Sequence, residues 1–556
     1  MTGASPHGDG GAVPGLSRSG QERPLAASLA AAAAFVLFLC LVLQPFWETN
    51  DDAGMSMAAH GYGAAAFGSP RIIFSNVLWG LLVRSIPLAA VAPGYSLAAL
   101  AALTAAGAAL LWALHRLETP LFQRLLLFAL LMARPVLFPQ FTVTSGLLAL
   151  SAVLCIAVHA RRGGKGSLAS GCVLFFFSFL IRPNEAFLVL AAASPLLPWR
   201  DLLGRRPFRI AALSLAVAIA LSILANSRAY SGPEWLGWKA FNAVRVPITD
   251  FGAGERLMER PDILVRHGYT VNDMALLRDW FFADPDLANP GRLRAMLREL
   301  GPLVTARGSL SRGWEGIAAL WSRRLLPLLL AAVLLGILRP GRRAFLCWGL
   351  CAAAIFSMGV LGRPGVVRVY VPLASLLAAA PIAAAHPGPF RRRACAAVLL
   401  AACAWNAFLA VSESLEASAY AGRGREALAG FPEKSGAPAV SWGGAFPYHR
   451  LYPVLWPVSK MLPRRIAAMG WMTLAPYSVH AAMEARGKGL VSRLRSEEGL
   501  PMVARERQVE ELRKYFAEHF GGQLVSFPSK KFGIRGVKRF GPVTVRMFRC
   551  LPPEGR

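Results

Sequence analysis

The stretch "PLAASLAAAAAFVLFLCLVLQPFWETNDDAGMSM" (24–57) contains the two features that decide the fold. It opens with an apolar run, residues 24–46, that contains no charged side chain. About 20 such residues are enough for a helix to cross the roughly 30 Å hydrocarbon core of a bilayer. No small-residue cleavage site follows, so we interpret the run as an uncleaved signal anchor. Directly after it come Asn50, Asp51 and Asp52, with two adjacent carboxylates where the helix leaves the membrane.

The composition extends this interpretation to most of the chain. Of the 556 residues, 55% are hydrophobic and only 16% are charged, whereas a soluble protein carries about 25% charged residues. Apolar runs recur as far as residue 411, and they predict an all-α polytopic membrane protein with about 11 transmembrane helices. The runs are 24–46, 95–114, 121–138, 141–159, 167–181, 184–198, 209–226, 325–338, 344–362, 369–385 and 393–411.

Basic residues are in strong excess, with a net charge of +29. In a soluble protein this excess would indicate nucleic-acid binding. Here most basic clusters lie between apolar runs, where lysine and arginine mark cytoplasmic loops, so we predict no nucleic-acid partner. Seven of the eight cysteines lie within apolar runs, and their spacing indicates neither a zinc site nor a disulfide framework. The clusters assigned to the cytoplasm are 115–124, 161–166, 200–209, 339–343 and 390–393.

These clusters also orient the chain in the membrane. If all of them face the cytoplasm, each successive pair is joined by an even number of crossings, which puts the N-terminus inside and the C-terminus outside. The run 72–83 has only 12 residues, about 18 Å as a helix, so we predict an amphipathic interfacial helix there. Residues 167–198 then form a hairpin whose outer turn contains Arg182 and Glu185.

The predicted topology divides the chain into three parts. Residues 1–23, rich in Gly, Ser and Pro, are expected to be disordered and cytoplasmic. Residues 24–411 form the transmembrane domain, with large extracytoplasmic loops at 47–92 and 227–323. Residues 412–556 are predicted to form a small extracytoplasmic α/β domain with one amphipathic helix and several strands. The helix is 505–520, and the strand-like segments are 438–446, 523–527 and 543–548.

The acidic pair that follows the first span has two interpretations. Asn50 could cap a short helix, with Asp51 and Asp52 at the positive end of its dipole. Alternatively, one carboxylate is a general base for a hydroxyl group. Its neighbour would then orient it, raise its pKa or bind a divalent cation such as Mg²⁺ or Mn²⁺.

The position of this pair resembles that in the membrane glycosyltransferases of the GT-C superfamily. The segments that carry the resemblance are "FWETNDDAGMSMAAHGYG" (46–63), "SPRIIFSNVLWGLL" (69–82) and "GYTVNDMALLRDWFFADPD" (268–286). The resemblance implies a GT-C-like fold in a bacterial inner membrane. It also implies inverting transfer of a sugar from a polyprenyl-phosphate donor to an extracytoplasmic glycan, lipid or protein, with Asp51 or Asp52 as the catalytic base.

Such a reaction needs positive charge where the phosphate leaves. The candidate phosphate-binding residues are Arg134, which interrupts a span, Arg182 at the hairpin turn, and Arg363 and Arg368 with Tyr370 at the head of the tenth span. An arginine within a membrane span is costly and indicates function. The alternatives are snorkelling to lipid headgroups and, for Arg182, an ion pair with Glu185.

His60, Trp238 and Lys239 are the candidates for positioning the acceptor or the sugar. His60 lies close to the acidic pair in sequence, and Trp238 and Lys239 lie in the second outer loop. Tryptophans at this level also form interfacial belts. Asn272 and Asp273 have the pattern of a helix N-cap, and we assign them no catalytic role.

A transporter or flippase of lipids or lipid-linked glycans is the main alternative function. Such proteins show internal repeats or broken helices at paired positions, and we find no clear repeat in this sequence. A polymerase or ligase of lipid-linked glycans would depend on a long late loop with Arg and His rather than on an acidic pair after the first span.

Overall fold

The computed structural model describes residues 18–86, 92–303, 306–384, 389–429, 431, 438–487, 489–529, 534, 537–540 and 542–552. Residues 1–17, most of the N-terminal segment that we expect to be disordered, lie outside this part of the chain.

Helices dominate the described residues. In chain order they are α1 (Arg18–Val42), α2 (Asn50–His60), α3 (Val77–Ser85), α4 (Gly94–Arg116), α5 (Leu121–Leu137), α6 (Phe141–Arg162), α7 (Lys165–Ile181), α8 (Pro183–Ala193), α9 (Trp199–Gly204), α10 (Arg206–Ala229), α11 (Pro233–Asp250), α12 (Ala253–Met258), α13 (Pro261–Arg266), α14 (Val271–Arg278), α15 (Pro290–Leu300), α16 (Ala306–Ala318), α17 (Leu326–Leu338), α18 (Arg342–Val360), α19 (Val367–Ala384), α20 (Pro389–Leu428), α21 (Tyr448–Leu451), α22 (Val479–Glu484), α23 (Leu490–Leu494) and α24 (Glu506–Phe520). The strands are β1 (Ala439–Trp442), β2 (Ile466–Met469), β3 (Leu500–Val503), β4 (Gln523–Ser526), β5 (Val537–Phe540) and β6 (Val543–Leu551).

Each of the eleven predicted apolar runs coincides with a helix, so the prediction of a polytopic helical membrane protein is confirmed. Within the described ranges, seven helices are long and apolar enough to cross a membrane. The segment Ser309–Trp321 and α17 pass the same test together, although the chain bends by 90° between them. The seven are Pro24–Val42, α4, α6, α10, α18, α19 and Phe390–Leu428.

Helix α6 is the centre of the membrane part and is buried on every side. It contacts α4, α7, α8 and α19. Small residues permit this close packing, as is usual between membrane helices. A Cβ atom on Gly146 would lie only 2.3 Å from the Cβ of Pro372 in α19. The Ser145 hydroxyl donates to the Ser178 carbonyl at 2.9 Å, which ties α6 to α7.

The predicted interfacial helix at 72–83 is displaced in the structure, because α3 begins only at Val77. Ile73 has a left-handed φ of 68°, a conformation that a β-branched residue rarely adopts and that ends any helix there. The Asn76 side chain then caps α3 by accepting a hydrogen bond from the Leu78 N–H at 2.9 Å. With nine residues, α3 is too short to cross a bilayer, which agrees with its exclusion from the spans.

The C-terminal region contains the predicted mixed α/β structure. Its strand order is β2-β1-β3-β6-β4, with β5 also paired to β6. The pairs β1–β2 and β1–β3 are parallel, whereas β6 pairs antiparallel with β3, β4 and β5. Helix α24 coincides with the predicted helix 505–520, and the predicted strands correspond to β1, β4 and β6.

The C-terminal region and the second outer loop share one hydrophobic core. Phe281 of the loop packs on Trp442 of β1 at 5.1 Å and on Tyr515 of α24 at 5.7 Å between ring centroids. Residues from Phe241 to Leu300 and from Val440 to Phe548 contribute to this cluster. Helix α20 leads into the region, since it continues to Leu428, beyond the predicted end of the last span at residue 411.

The predicted orientation can be tested with single cysteines on exposed positions. We expect a membrane-impermeant maleimide added from outside to label Glu510→Cys, in α24, and not Lys165→Cys, at the start of α7, because the C-terminal region is predicted to be extracytoplasmic. Both variants are made in a Cys550→Ser background, because Cys550 is partly exposed. Labelling of Lys165→Cys without labelling of Glu510→Cys would show that the orientation is opposite to the predicted one.

Candidate active site

Helix α2 holds the acidic pair against the C-terminal region. Its N-cap position is occupied by Thr49, which makes no side-chain capping bond. The interpretation of Asn50 as the N-cap is therefore wrong. The Asn50 side-chain oxygen instead accepts hydrogen bonds from the backbone N–H of His449 at 3.1 Å and from its Nδ1 at 2.7 Å. Burial and the charge of Arg450 lower the pKa of His449 to about 4, which favours the neutral ring.

Asp52 points into the protein. Its Oδ1 accepts hydrogen bonds from the Tyr95 hydroxyl and from the Phe141 N–H, both at 3.0 Å. Phe141 is the first residue of α6, so Asp52 caps the central membrane helix, while Tyr95 lies in the first turn of α4. Burial, followed by repulsion from Asp51, raises the pKa of Asp52 well above its ordinary value. Asp52 is therefore an anchor for α2.

Asp51 points in a different direction. Its Oδ2 accepts a hydrogen bond from Nη1 of Arg368, in the first turn of α19, at 2.7 Å. Both side chains are partly exposed. Successive residues of a helix point about 100° apart, and this rotation explains why one carboxylate of the pair is buried and the other is accessible.

Asp51 lines a cavity of about 350 Å³ between α2, the second outer loop and the C-terminal region. The strands β1 and β2 are parallel, and the residues after their carboxyl ends, Gly443 and Gly470, form one wall. The crevice beyond the carboxyl ends of parallel strands is a common ligand site. Trp471 follows Gly470 in the same wall. The other walls come from α2, from the segment after α14 and from the start of α24, through Asn50, Gly54, Asp279, Trp280, Arg505 and Gln508.

Two further predicted arginines lie near Asp51. Arg182 is within electrostatic range of Arg363, Arg368 and Asp51. Its guanidinium lies over the rings of Phe74 and Phe141, at 5.7 and 5.3 Å from their centroids.

Among the described residues, neither of these arginines has a carboxylate within ion-pair distance. Arg182 is nevertheless within electrostatic range of Glu185, the partner considered as the alternative from the sequence. Arg363 lies over the ring of Phe251 at 5.4 Å. Both guanidinium groups rest mainly on aromatic rings.

Arg134 and Tyr370 have other partners. Arg134 donates to Glu413 at 2.7 Å and to Glu48 at 3.0 Å. Arg324 contacts the same two carboxylates at 3.4 and 2.7 Å, which completes a ring of four charges.

The buried Tyr370 hydroxyl accepts a hydrogen bond from the Gly365 N–H at 3.1 Å and stabilises the turn before α19. We therefore leave both residues out of the proposed phosphate site.

The residues predicted to position the acceptor lie outside the walls of the cavity. The His60 Nε2 accepts a hydrogen bond from the Tyr95 N–H at 3.0 Å, and burial lowers the pKa of His60 to about 4. Trp238 is buried and packs edge-to-face on Trp235 at 5.8 Å. The Lys239 ammonium lies over the Tyr230 ring at 5.5 Å. These contacts give all three side chains a structural role.

Sequence reasoning missed the aromatic walls of the cavity. Trp280 has a φ of 73°, a strained conformation for a bulky residue and one that is often found at functional sites. Arg245 lies over its ring at 4.7 Å. Trp471 approaches α2 so closely that a Cβ atom on Gly54 would lie 2.8 Å from its ring. The glycine in "DDAG" was the only local signal for this contact.

The acidic pair does not fit a divalent cation held by both carboxylates. Oδ1 of Asp52 is occupied by two hydrogen bonds from the protein, and the side chain is buried away from the cavity. Asp51 is already paired with a guanidinium. Arg368 therefore already places a positive charge beside Asp51. Oδ2 of Asp52 is buried and has no hydrogen-bond partner, but Asp52 does not line the cavity.

Comparisons with known proteins give two similar structures. The crystal structure of ArnT from Cupriavidus metallidurans bound to undecaprenyl phosphate is 11% identical, with a TM-score of 0.36, and the match covers 96% of this chain and 98% of that chain. For the apo state of the same protein these values are 12%, 0.39, 95% and 98%. No protein-family model matches the chain, and no curated protein sequence matches it.

The anchoring role of Asp52 predicts a loss of stability when its carboxyl is removed. Asp52→Ala leaves the Tyr95 hydroxyl and the Phe141 N–H without an acceptor, and each unsatisfied buried group costs about 1–3 kcal/mol. Asp52→Asn retains an acceptor oxygen and should stay close to the wild type. Thermal unfolding of the detergent-solubilised proteins measures the difference. An unchanged midpoint in Asp52→Ala would contradict the assignment.

Proposed function

We propose that the chain is an inverting membrane glycosyltransferase. It transfers a sugar from a polyprenyl-phosphate donor to a glycan, lipid or protein acceptor on the extracytoplasmic side of a bacterial inner membrane. The observation that carries this proposal is the position of Asp51. Its carboxylate meets a cavity on one side and Arg368, at the head of a membrane helix, on the other.

In this reaction Asp51 is the general base. Its carboxylate takes the proton of an acceptor hydroxyl, whose oxygen attacks the anomeric carbon of the donor sugar. The bond between that carbon and the phosphate oxygen breaks, and polyprenyl phosphate leaves with the bonding electrons. Such a base contributes about 10²–10⁴ in rate. Proton transfer requires an ionised carboxylate, and burial raises the pKa of Asp52 well above its ordinary value. Asp51, in contrast, is partly exposed and lines the cavity.

The leaving phosphate requires cations on the membrane side of Asp51. Arg368 contacts Asp51 directly, and Arg182 and Arg363 lie in the same electrostatic neighbourhood. The guanidinium groups of Arg182 and Arg363 rest mainly on aromatic rings. Glu185 and Asp51 act on Arg182 only through space, without an ion pair, so both guanidinium groups can still donate to an anion. Arginine also matches the geometry of phosphate with paired donors.

The cavity is the proposed acceptor side of the reaction. Its volume of about 350 Å³ lies at the lower end of the range of about 300–1,000 Å³ for small-molecule pockets. Trp280 and Trp471 supply apolar surface, and Asp279 and Arg505 supply polar groups. This combination suits a hydroxyl-bearing ring.

The two aspartates provide a matched pair for the test of catalysis. We expect Asp51→Asn to lower turnover by 10²-fold or more, because the amide cannot accept the proton. Asp52→Asn, the same change one residue away, should retain most activity. Transfer from a polyprenyl-phosphate-linked sugar is measured with membranes of each variant, and binding of polyprenyl phosphate verifies that both variants are folded. Full turnover in Asp51→Asn would exclude this residue as the base.

The phosphate site can be tested separately by binding. Replacing Arg182, Arg363 or Arg368 with Lys keeps the charge and removes paired hydrogen bonding. Since a charge-assisted hydrogen bond contributes about 1.5–3 kcal/mol, polyprenyl phosphate should bind about 10-fold or more weakly in at least one variant. Arg84→Lys is the control, because Arg84 is exposed and donates to the Gly68 carbonyl. Equal affinity in all the variants would refute the site.

A further inference from the structure

A second cluster of polar side chains lies where the second outer loop meets the C-terminal region. Oδ1 of Asp273 and Nε2 of His519 are 2.8 Å apart. Together with a carboxylate oxygen of Glu518, these ligand atoms lie within 4.8 Å of one another. We propose that Asp273, Glu518 and His519 bind a zinc ion that clips α14 to α24. This site is separate from the acidic pair in α2.

The imidazole and carboxylate groups in this cluster are ligand types that zinc accepts. One imidazole nitrogen and two carboxylate oxygens give three protein ligands and leave the fourth tetrahedral position for water. Zinc bonds to such atoms are about 2.0–2.2 Å long, so the ligands need only small side-chain movements. The imidazole disfavours Ca²⁺ and Mg²⁺, which prefer oxygen ligands alone.

The neighbouring residue Thr270 orients both carboxylates. Its N–H donates to Oδ2 of Asp273 at 2.9 Å, and its hydroxyl donates to Oε2 of Glu518 at 3.0 Å. Thr270 is also the N-cap of α14, with Asp273 as the third helical residue of a capping box. This corrects the interpretation of Asn272 and Asp273 as the cap. Partners of this kind fix the ligands of metal sites before the ion binds.

The local charge also favours a cation. Asp273 is fully buried, and Asp284, Asp286 and His519 line the same cavity of about 390 Å³. Arg292 also lines it and pairs with Asp286 at 3.7 Å, so one cation faces three aspartates. The Asp284 carboxylate accepts a hydrogen bond from the Tyr515 hydroxyl. The whole chain has a net charge of +29. A cavity with three aspartates in its walls is therefore unusually acidic for this protein.

The clip would act on the cavity above Asp51, because α14 and α24 run antiparallel. Thr270 contacts Glu518 at one end of the helix pair, and Asp279 contacts Arg507 at the other end. Midway, Asn272 donates to the carbonyl of Glu511 at 2.9 Å. The zinc site thus lies at one end of the pair, while the other end forms the walls around Trp280 and Arg505. A bound ion would hold the two walls at a fixed separation.

Zinc titration of the full-length protein tests the proposal without any activity assay. The protein is purified in detergent through a tag without histidine, stripped with a chelator and titrated with Zn²⁺ in a calorimeter. We expect one zinc ion per chain and a midpoint of unfolding that rises by several degrees at saturation. Ca²⁺ should give neither effect.

Variants locate the bound ion. His519→Ala and Glu518→Gln should each weaken zinc binding by about 10-fold or more. Glu518 is exposed, so its variant should fold even if His519→Ala does not. The control is His267→Ala, since His267 also contacts a carboxylate, that of Glu299 at 2.9 Å, without a third ligand in the metal-binding geometry among the described residues. Absence of saturable zinc binding, or equal affinity in Glu518→Gln and the wild type, would overturn the proposal.

Discussion

The position of the candidate base depends on the buried carboxyl group beside it. Asp52 accepts hydrogen bonds from Tyr95 in α4 and from the first N–H of α6, so α2 is fixed against two membrane helices. Once Asp52 faces the protein, the helical rotation of about 100° turns Asp51 toward Arg368 and the cavity. Two neighbouring ionised carboxylates repel each other, and burial removes the conflict by favouring the neutral form of Asp52.

The rest of the site is assembled from segments that are distant in sequence. Asn50 in α2 binds His449 in the C-terminal region, and Trp471 packs against Gly54. The second outer loop joins the same core through Phe281. This packing supports the strained backbone of Trp280, because the residue that follows it is fixed between two aromatic rings. The walls of the cavity are therefore stabilised by an extramembrane core, while Asp51 is fixed by the membrane helices.

The sequence predicts what depends on local composition. The apolar runs coincide with helices because a backbone in hydrocarbon must satisfy its own hydrogen bonds. The acidic pair and Arg368 were also identified as candidate site residues, since both lie at the ends of such runs. Their pairing was not predicted, because 317 residues separate Asp51 from Arg368. For the same reason the sequence did not predict the contact between Asn50 and His449, which are 399 residues apart. The error at 72–83 has a local cause, because hydropathy does not report the left-handed backbone of Ile73.

The candidate phosphate-binding arginines illustrate why residue type alone does not assign a binding role. From the sequence, Arg134 was a candidate for the donor phosphate because an arginine within a span is costly and indicates function. In the structure Arg134 has two carboxylate partners, Glu48 and Glu413. Its charge is already neutralised, so an incoming phosphate would have to compete with both carboxylates. Arg182 and Arg363 rest on aromatic rings instead, an interaction that contributes only about 0.5–2 kcal/mol. An aromatic surface holds the guanidinium in place without an ion pair to a carboxylate. The partner of each guanidinium group therefore distinguishes Arg134, which joins helices through carboxylates, from Arg182 and Arg363, which remain candidates for anion binding.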